Sequence, residues 1–249
     1  MSGGKVRLDQ LLVERGLAPS RARAQAAIKA GQVSVGGALI TKASAHVGPD
    51  VLVEIDALEH RYVSRGALKL LHALDHFGWD VRSLNALDLG ASTGGFTQVL
   101  LERGAAHVTA IDVGHDQLAP ELVADARVTS FEGLNSKDIA PEHLARRPAL
   151  LVADLSFISL RKALPPVLAL VPGATRLIAL IKPQFEAGKG NVGKGGIVKD
   201  EALQAQICEE ISSWLENDCG WRVIGLTPSP ITGGDGNREF LIAAIKEAE

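Results

Sequence analysis

Apolar positions along the chain follow one pattern before about residue 60 and another after it. In the first stretch they are sparse. Val6, Leu8, Leu11 and Leu12 make one side of a short amphipathic helix that Gly16 ends. Ala24, Ala27 and Ile28 make one side of a second, opened by Pro19 and Ser20, with Ser20 as N-cap and Gly31 as the stop. Segments QVSVGG (32–37) and VLVEI (51–55) read as short strands. Two helices and a small sheet form an α+β unit over residues 5–56, and a polar linker, 57–63, follows it.

The larger unit, 64–249, opens with a helix. Ala67, Leu70, Leu71, Leu74 and Phe77 line its core side, with Arg65, Lys69, His72 and His76 opposite. Apolar runs at 84–89, 107–112, 127–131, 149–154 and 176–182 then alternate with helical stretches. Such alternation predicts an α/β fold, a parallel sheet with helices on both faces. The end differs: 221–230 and 238–246 flank ITGGDGN and read as an antiparallel hairpin, giving a mostly parallel seven-stranded sheet. That arrangement resembles the Rossmann-like class I methyltransferases, a likeness of fold that leaves function to the site.

Composition adds little until charge is divided. The 249 residues are 46% hydrophobic and 22% charged, an ordinary balance for one or two folded domains. The longest apolar stretch, 163–181, is broken by Pro165, Pro166, Pro172 and Arg176, so no membrane span is expected. The first ten residues hold no apolar signal core, and Cys208 and Cys219 make neither a metal-ligand pattern nor a disulfide framework. A cytoplasmic protein without a metal is the expectation. Net charge is −3, but residues 1–48 set seven Lys/Arg against Asp9 and Glu14, for +5, leaving −8 to the rest. A basic module on an acidic body suits a phosphate backbone, where each neutralised phosphate releases counterions.

Candidate chemistry gathers at strand ends. The run LDLGASTGGFT (87–97) places Gly90, Gly94 and Gly95 between a strand and a helix, where glycines let backbone approach a ligand. Asp112 ends the next strand, where a carboxylate can hydrogen-bond ribose hydroxyls, so a nucleoside-bearing cofactor is expected. Asp154 and Lys182 close two further strands, Glu239 begins the antiparallel last one, and Lys69 lies on the first helix. All four can converge at the carboxyl edge of the sheet, the ligand edge of open α/β folds. After Lys182, PQFEAGKGNVGKGG carries five glycines with Lys189 and Lys194 and reads as a mobile basic loop over that edge. Where base amino-group methyltransferases often carry Asn/Asp-Pro-Pro-aromatic, the chain has Asp154-Leu155-Ser156-Phe157, without prolines.

Two resemblances sharpen this reading. Arg7-Leu8-Asp9, Ser20-Arg21, Ala24, Gly31 and Val33-x-Val35 resemble the S4-type RNA-binding domain, although Gly36-Gly37 stands where that family usually has Asn-Gly. The likeness implies Arg7, Arg21 and Arg23 as RNA contacts; Arg65, at the start of the second unit, is a further candidate. Lys69, Asp154, Lys182 and Glu239 resemble the tetrad of FtsJ-like ribose 2′-O-methyltransferases. SRGALKL, LDLGASTGGFT, VADLSFISL, LIKPQFE and GGIVKD are similar throughout to the TlyA family. This implies S-adenosylmethionine as cofactor, held by Gly90, Ala91, Ser92, Gly94, Gly95, Phe96, Asp112, Asn135 and Asp154. It also implies a cytidine ribose in ribosomal RNA, within ribosomal subunits, as substrate. FEGLNSKDI is looser, since the family more often has Arg after that Glu. Lys182 is expected either to accept the hydroxyl proton or to orient the hydroxyl. The alternatives are a non-catalytic RNA-binding assembly factor, or a cytolysin as the family's hemolysin label implies.

Overall fold

A computed structural model describes residues 5–18, 20–29, 31–55, 61–188, 190–193 and 195–247. Pro19, Lys189, Lys194 and most of the expected linker lie outside the described residues. The chain divides into two units, Met1–Tyr62 and Val63–Glu249.

In the first unit, β1 (Val6–Arg7) leads into α1 (Leu8–Glu14), and α2 (Arg21–Lys29) packs against it. β2 (Val33–Val35) is the middle strand of an antiparallel sheet, between β3 (Ala38–Leu39) and β5 (Val53–Ile55), while β4 (His46–Val47) pairs with β1. Leu8, Leu12, Ala24, Ile28 and Val33 form the core of the unit. Ser20 Oγ accepts the Arg23 N–H at 3.3 Å, capping α2. Gly36 and Gly37, at φ +58° and +81°, close the β2–β3 turn in the left-handed conformation that glycine tolerates. Val6 differs from the helix expected of it, because pairing with Val47 draws it into β1.

The second unit runs α3 (Gly66–His76), β6 (Asn85–Leu89), α4 (Gly95–Glu102), β7 (His107–Asp112), α5 (Pro120–Val123), β8 (Val128–Glu132) and β9 (Leu150–Ala153). Next come α6 (Leu160–Ala163), α7 (Pro165–Leu170), β10 (Arg176–Ile181), α8 (Pro183–Glu186), α9 (Glu201–Asn217), β11 (Trp221–Pro228) and β12 (Phe240–Lys246). Its seven strands lie in the order β11-β12-β10-β9-β6-β7-β8, parallel from β10 to β8, with β12 antiparallel to both neighbours. β6, β9 and β10 are almost wholly buried because helices cover both faces, which explains their unbroken apolar runs.

Register brings the strand ends together. Leu89 pairs with Ala153 and with Ile111, so Gly90 follows beside Asp154 and near Asp112. Ile181 pairs with Phe240 across the antiparallel ladder, which puts Lys182 and Glu239 past the same edge. Lys69, placed by periodicity on the side of α3 opposite its core face, is nonetheless only 7% exposed. A buried lysine needs a partner, and Glu239 supplies it.

Past β10, Lys182 is extended and Pro183 starts α8, a position where its missing N–H costs nothing. The glycine-rich segment is fastened at its far end. The buried Asn237 side chain accepts the Val198 N–H at 3.0 Å and donates to the Gly196 carbonyl at 2.9 Å, while Gln204 donates to the Val198 carbonyl at 2.7 Å. Asp200 then caps α9 by accepting from the Ala202 and Leu203 amides.

Candidate active site

Two adjoining cavities open at the carboxyl edge of the large sheet, one of about 370 Å³ and one of about 480 Å³. Gly90, Ser92, Asp154 and Ser156 line both.

The smaller cavity is built on the glycine turn and the ends of β7 and β9. Gly90 has φ +82°, and a Cβ there would sit 2.6 Å from the Asp154 carbonyl oxygen, so only glycine fits. Gly94, at φ +97°, lies against Leu118 and Leu122, and a Cβ on Gly95 would strike Ser64 Oγ. These glycines bring the start of α4 close to the chain around it. Asp112 accepts the Ser92 N–H at 2.8 Å and the Gly114 N–H at 2.7 Å, which fixes its carboxylate at the cavity wall. Glu132, one strand further, accepts from the Leu118, Gln117 and Asp116 amides. Those three bonds hold its carboxyl below the usual range and fasten the loop after Asp112. Asn135 is exposed, lines the cavity and accepts the Lys137 N–H at 3.2 Å.

Of the other residues expected to hold a cofactor, Ala91 and Phe96 are buried and line the larger cavity with Gly95; Gly94 lines neither. A strand-end carboxylate facing a polar and apolar cleft, beside a turn where any Cβ would collide, fits a nucleoside-bearing cofactor. Beneath the turn, Thr97 donates to Asp88 at 2.7 Å. Burial pushes the Asp88 carboxyl up to about 7, against the opposing Thr97 bond.

The larger cavity gathers charge. Lys69 Nζ is 2.6 Å from Glu239 Oε2 and 3.9 Å from Asp154 Oδ2, and Lys182 Nζ is 2.6 Å from Asp154 Oδ1. Lys69, Lys182 and Glu239 are all under 9% exposed, while Asp154 keeps more contact with solvent. The result is one alternating row, Glu239–Lys69–Asp154–Lys182. Buried ion pairs contribute little net stability, because desolvation offsets attraction. Such a row is better understood as holding two ammonium groups in place at a cavity wall than as holding the fold together. Ser156, which sequence patterning does not mark, receives a hydrogen bond from Lys182 at 2.9 Å. Arg65 is exposed and lines the mouth of this cavity. Phe157 follows Ser156 with φ +65° and an almost fully exposed ring, 5.2 Å from that of Phe185.

In the first unit, Arg7 and Arg21 share a hub. Arg7 donates to both oxygens of Asp9 at 3.0 and 2.9 Å, and Arg21 and Gln25 donate to Asp9 Oδ2 at 3.2 and 2.7 Å. The Arg7 guanidinium, with Gln25 and Arg21 adding to it, holds the Asp9 carboxyl well below the usual carboxylate range. Arg23 donates instead to the Tyr62 carbonyl at 2.9 Å. Among the described residues, no cluster of three or more His, Cys, Asp or Glu could hold a metal ion. No helix there is long and apolar enough to cross a membrane.

Known proteins match this chain along nearly all of its length. The S4 domain family matches residues 6–53, and the FtsJ-like methyltransferase family matches residues 62–246. The 16S/23S rRNA (cytidine-2′-O)-methyltransferase TlyA of Mycobacterium tuberculosis is 44% identical over 239 residues, 96% of this chain and 89% of that protein. Hemolysin A of Brachyspira hyodysenteriae is 41% identical over 237 residues, 95% of this chain and 98% of its own. A structure from Streptococcus thermophilus described as a hemolysin superposes with a TM-score of 0.77 at 38% identity, covering 98% of this chain and 89% of that one. With an S4 domain ahead of an FtsJ-like methyltransferase domain and relatives this close, the chain belongs to the TlyA family of rRNA methyltransferases.

Proposed function

We propose that this protein methylates the 2′-hydroxyl of a cytidine ribose in ribosomal RNA, using S-adenosylmethionine and acting on ribosomal subunits in the cytoplasm. The row Glu239–Lys69–Asp154–Lys182, set at a cavity that shares its wall with the glycine-turn cleft, carries the reading. Relatives named as cytidine-2′-O-methyltransferases support the choice of acceptor.

Gly90, Ser92, Asp112, Asn135 and Asp154 line the cleft and would hold the cofactor, with Asp112 suited to ribose hydroxyls. Ala91, Gly95 and Phe96, expected beside them, line the adjoining cavity. Bound there, S-adenosylmethionine would supply a sulfonium methyl group open to attack by an oxygen nucleophile. A ribose hydroxyl is a poor nucleophile, so positioning and removal of its proton are what the chain must provide. Lys182 is the group assigned to that hydroxyl, with Asp154 anchoring it from one side. Lys69, tied to Glu239, faces the opposite oxygen of Asp154 and keeps that carboxylate from turning away.

In the first unit, Arg7 and Arg21 present guanidinium groups that a phosphate backbone can engage, with Arg23 as a further contact, and Arg65 of the second unit is assigned to RNA as well. The folded unit 5–56 is assigned to RNA binding and 64–249 to methyl transfer.

Methyl-labelled S-adenosylmethionine and ribosomal subunits lacking the modification test the reading. After digestion to nucleosides, label should elute as 2′-O-methylcytidine and vanish with Lys182→Ala. Label in a base-methylated nucleoside would keep the fold and overturn the mechanism.

A further inference from the structure

We infer that Ser156 is a positioning residue for methyl transfer that acts through Lys182, an inference that rests on the ribose-methylation reading above. A lysine ammonium carries three N–H donors on a flexible four-carbon stem. A single anchor at Asp154 leaves such a group free to turn about that contact. Ser156 Oγ, 2.9 Å from Lys182 Nζ, supplies a second anchor on a different side chain. An ion pair to Asp154 and a hydrogen bond to Ser156 together restrict how the ammonium can turn. Lys182 Nζ is buried but lines the larger cavity, so its remaining N–H groups are the ones available to an acceptor hydroxyl.

The backbone around Ser156 supports the assignment. Asp154 and Ser156 leave the end of β9 together, and both line the two cavities. The next residue, Phe157, adopts φ +65°, a conformation that is unfavourable for a bulky side chain and occurs where the surrounding structure demands it. Its ring gains little burial in return, being 89% exposed. Core packing therefore does not explain the turn, which sets Phe157 at the wall of the cofactor cleft and lies next to the serine hydroxyl bonded to Lys182.

Ser156 also lines the cofactor cleft, so the test must separate a role through Lys182 from a cofactor contact. Full-length wild type, Ser156→Ala and Ser156→Thr are compared by single-turnover methyl transfer to ribosomal subunits, by KM for the subunits, and by calorimetric Kd for S-adenosylmethionine. The Ala variant should lose about tenfold in single-turnover rate, the scale of one charge-assisted hydrogen bond. Its KM and cofactor Kd should stay within about twofold of wild type. The Thr variant, which keeps a hydroxyl, should recover to within about threefold. An Ala variant at wild-type rate, or a Thr variant as slow as Ala, would overturn the inference. So would a loss confined to cofactor Kd. Wild type that binds the cofactor yet places no methyl group on ribose would instead remove the reading on which the inference stands.

Discussion

Two groups of cations in this protein are held by carboxylates in opposite ways. In the first unit the anion is buried: the Asp9 side chain is 0% exposed, whereas those of Arg7 and Arg21 are 36% and 53% exposed. In the second the cations are buried: the Lys69 and Lys182 side chains are each 9% exposed, and that of Asp154 is 20% exposed. A buried anion beneath exposed guanidiniums orients them while leaving their faces to solvent, an arrangement for meeting an extended polyanion. Buried lysines meet only what enters one cavity, an arrangement for a single hydroxyl. Salt should screen the first set strongly and the second weakly.

The largest expected effect comes from breaking the buried-cation set. Lys182→Ala should lower single-turnover methyl transfer by about a thousandfold or more while calorimetry finds cofactor affinity unchanged. Retained turnover would remove Lys182 from its role. Next is Gly90→Ala, where the new Cβ meets the Asp154 carbonyl at 2.6 Å in a left-handed turn. Cofactor binding should be lost by calorimetry, with a drop of about 1–3 kcal/mol in chemical denaturation.

Asp88 lies beneath that turn. Its carboxyl titrates near 7 when folded, above the unfolded value of about 3.9, so its contribution to stability is greatest at low pH and falls as pH rises toward 7. Asp88→Asn should therefore gain on wild type by about 1.4 kcal/mol per pH unit between those values and level off above, as read by denaturation at several pH values. A constant difference across pH would contradict the burial argument.

The smallest effect sharpens the exposed-cation half. Asp9→Asn should weaken binding to ribosomal RNA about three- to tenfold, with the loss shrinking at high salt, as measured by filter binding. The Asp9 carboxyl is held below its unfolded value, so the stability it gives is present above about pH 4 and lost as pH falls. The variant and wild type should thus converge in acid.

What the sequence reveals of this molecule follows from how local each signal is. Strands β6, β7, β9 and β10 are legible because both faces are buried, which leaves largely apolar runs. The glycine turn is legible because positive φ and close backbone approach demand glycine at Gly90 and Gly94. Strand ends place Asp112, Asp154, Lys182 and Glu239 along one edge once alternation is recognised. Burial of Lys69 is not legible, since helical periodicity assigns a lysine between leucines to water, and its partner Glu239 is 170 residues away. The same holds for Arg21 and Gln25 at the Asp9 hub and for Asn237, whose partners become neighbours only in the folded chain. β1, β3 and β4 have two residues each, too few for any alternation to register.

The chemistry itself offers the most direct test. A 2′-O-methylated ribose has no free hydroxyl to attack the adjoining phosphodiester, so that bond survives alkali. Ribosomal RNA labelled by this protein with methyl-labelled S-adenosylmethionine is hydrolysed in alkali and sized. Label retained in an alkali-stable dinucleotide with cytidine at its 5′ position is the result the account predicts. Label released in a mononucleotide would mean methylation of a base, and the paired lysines would then need another explanation.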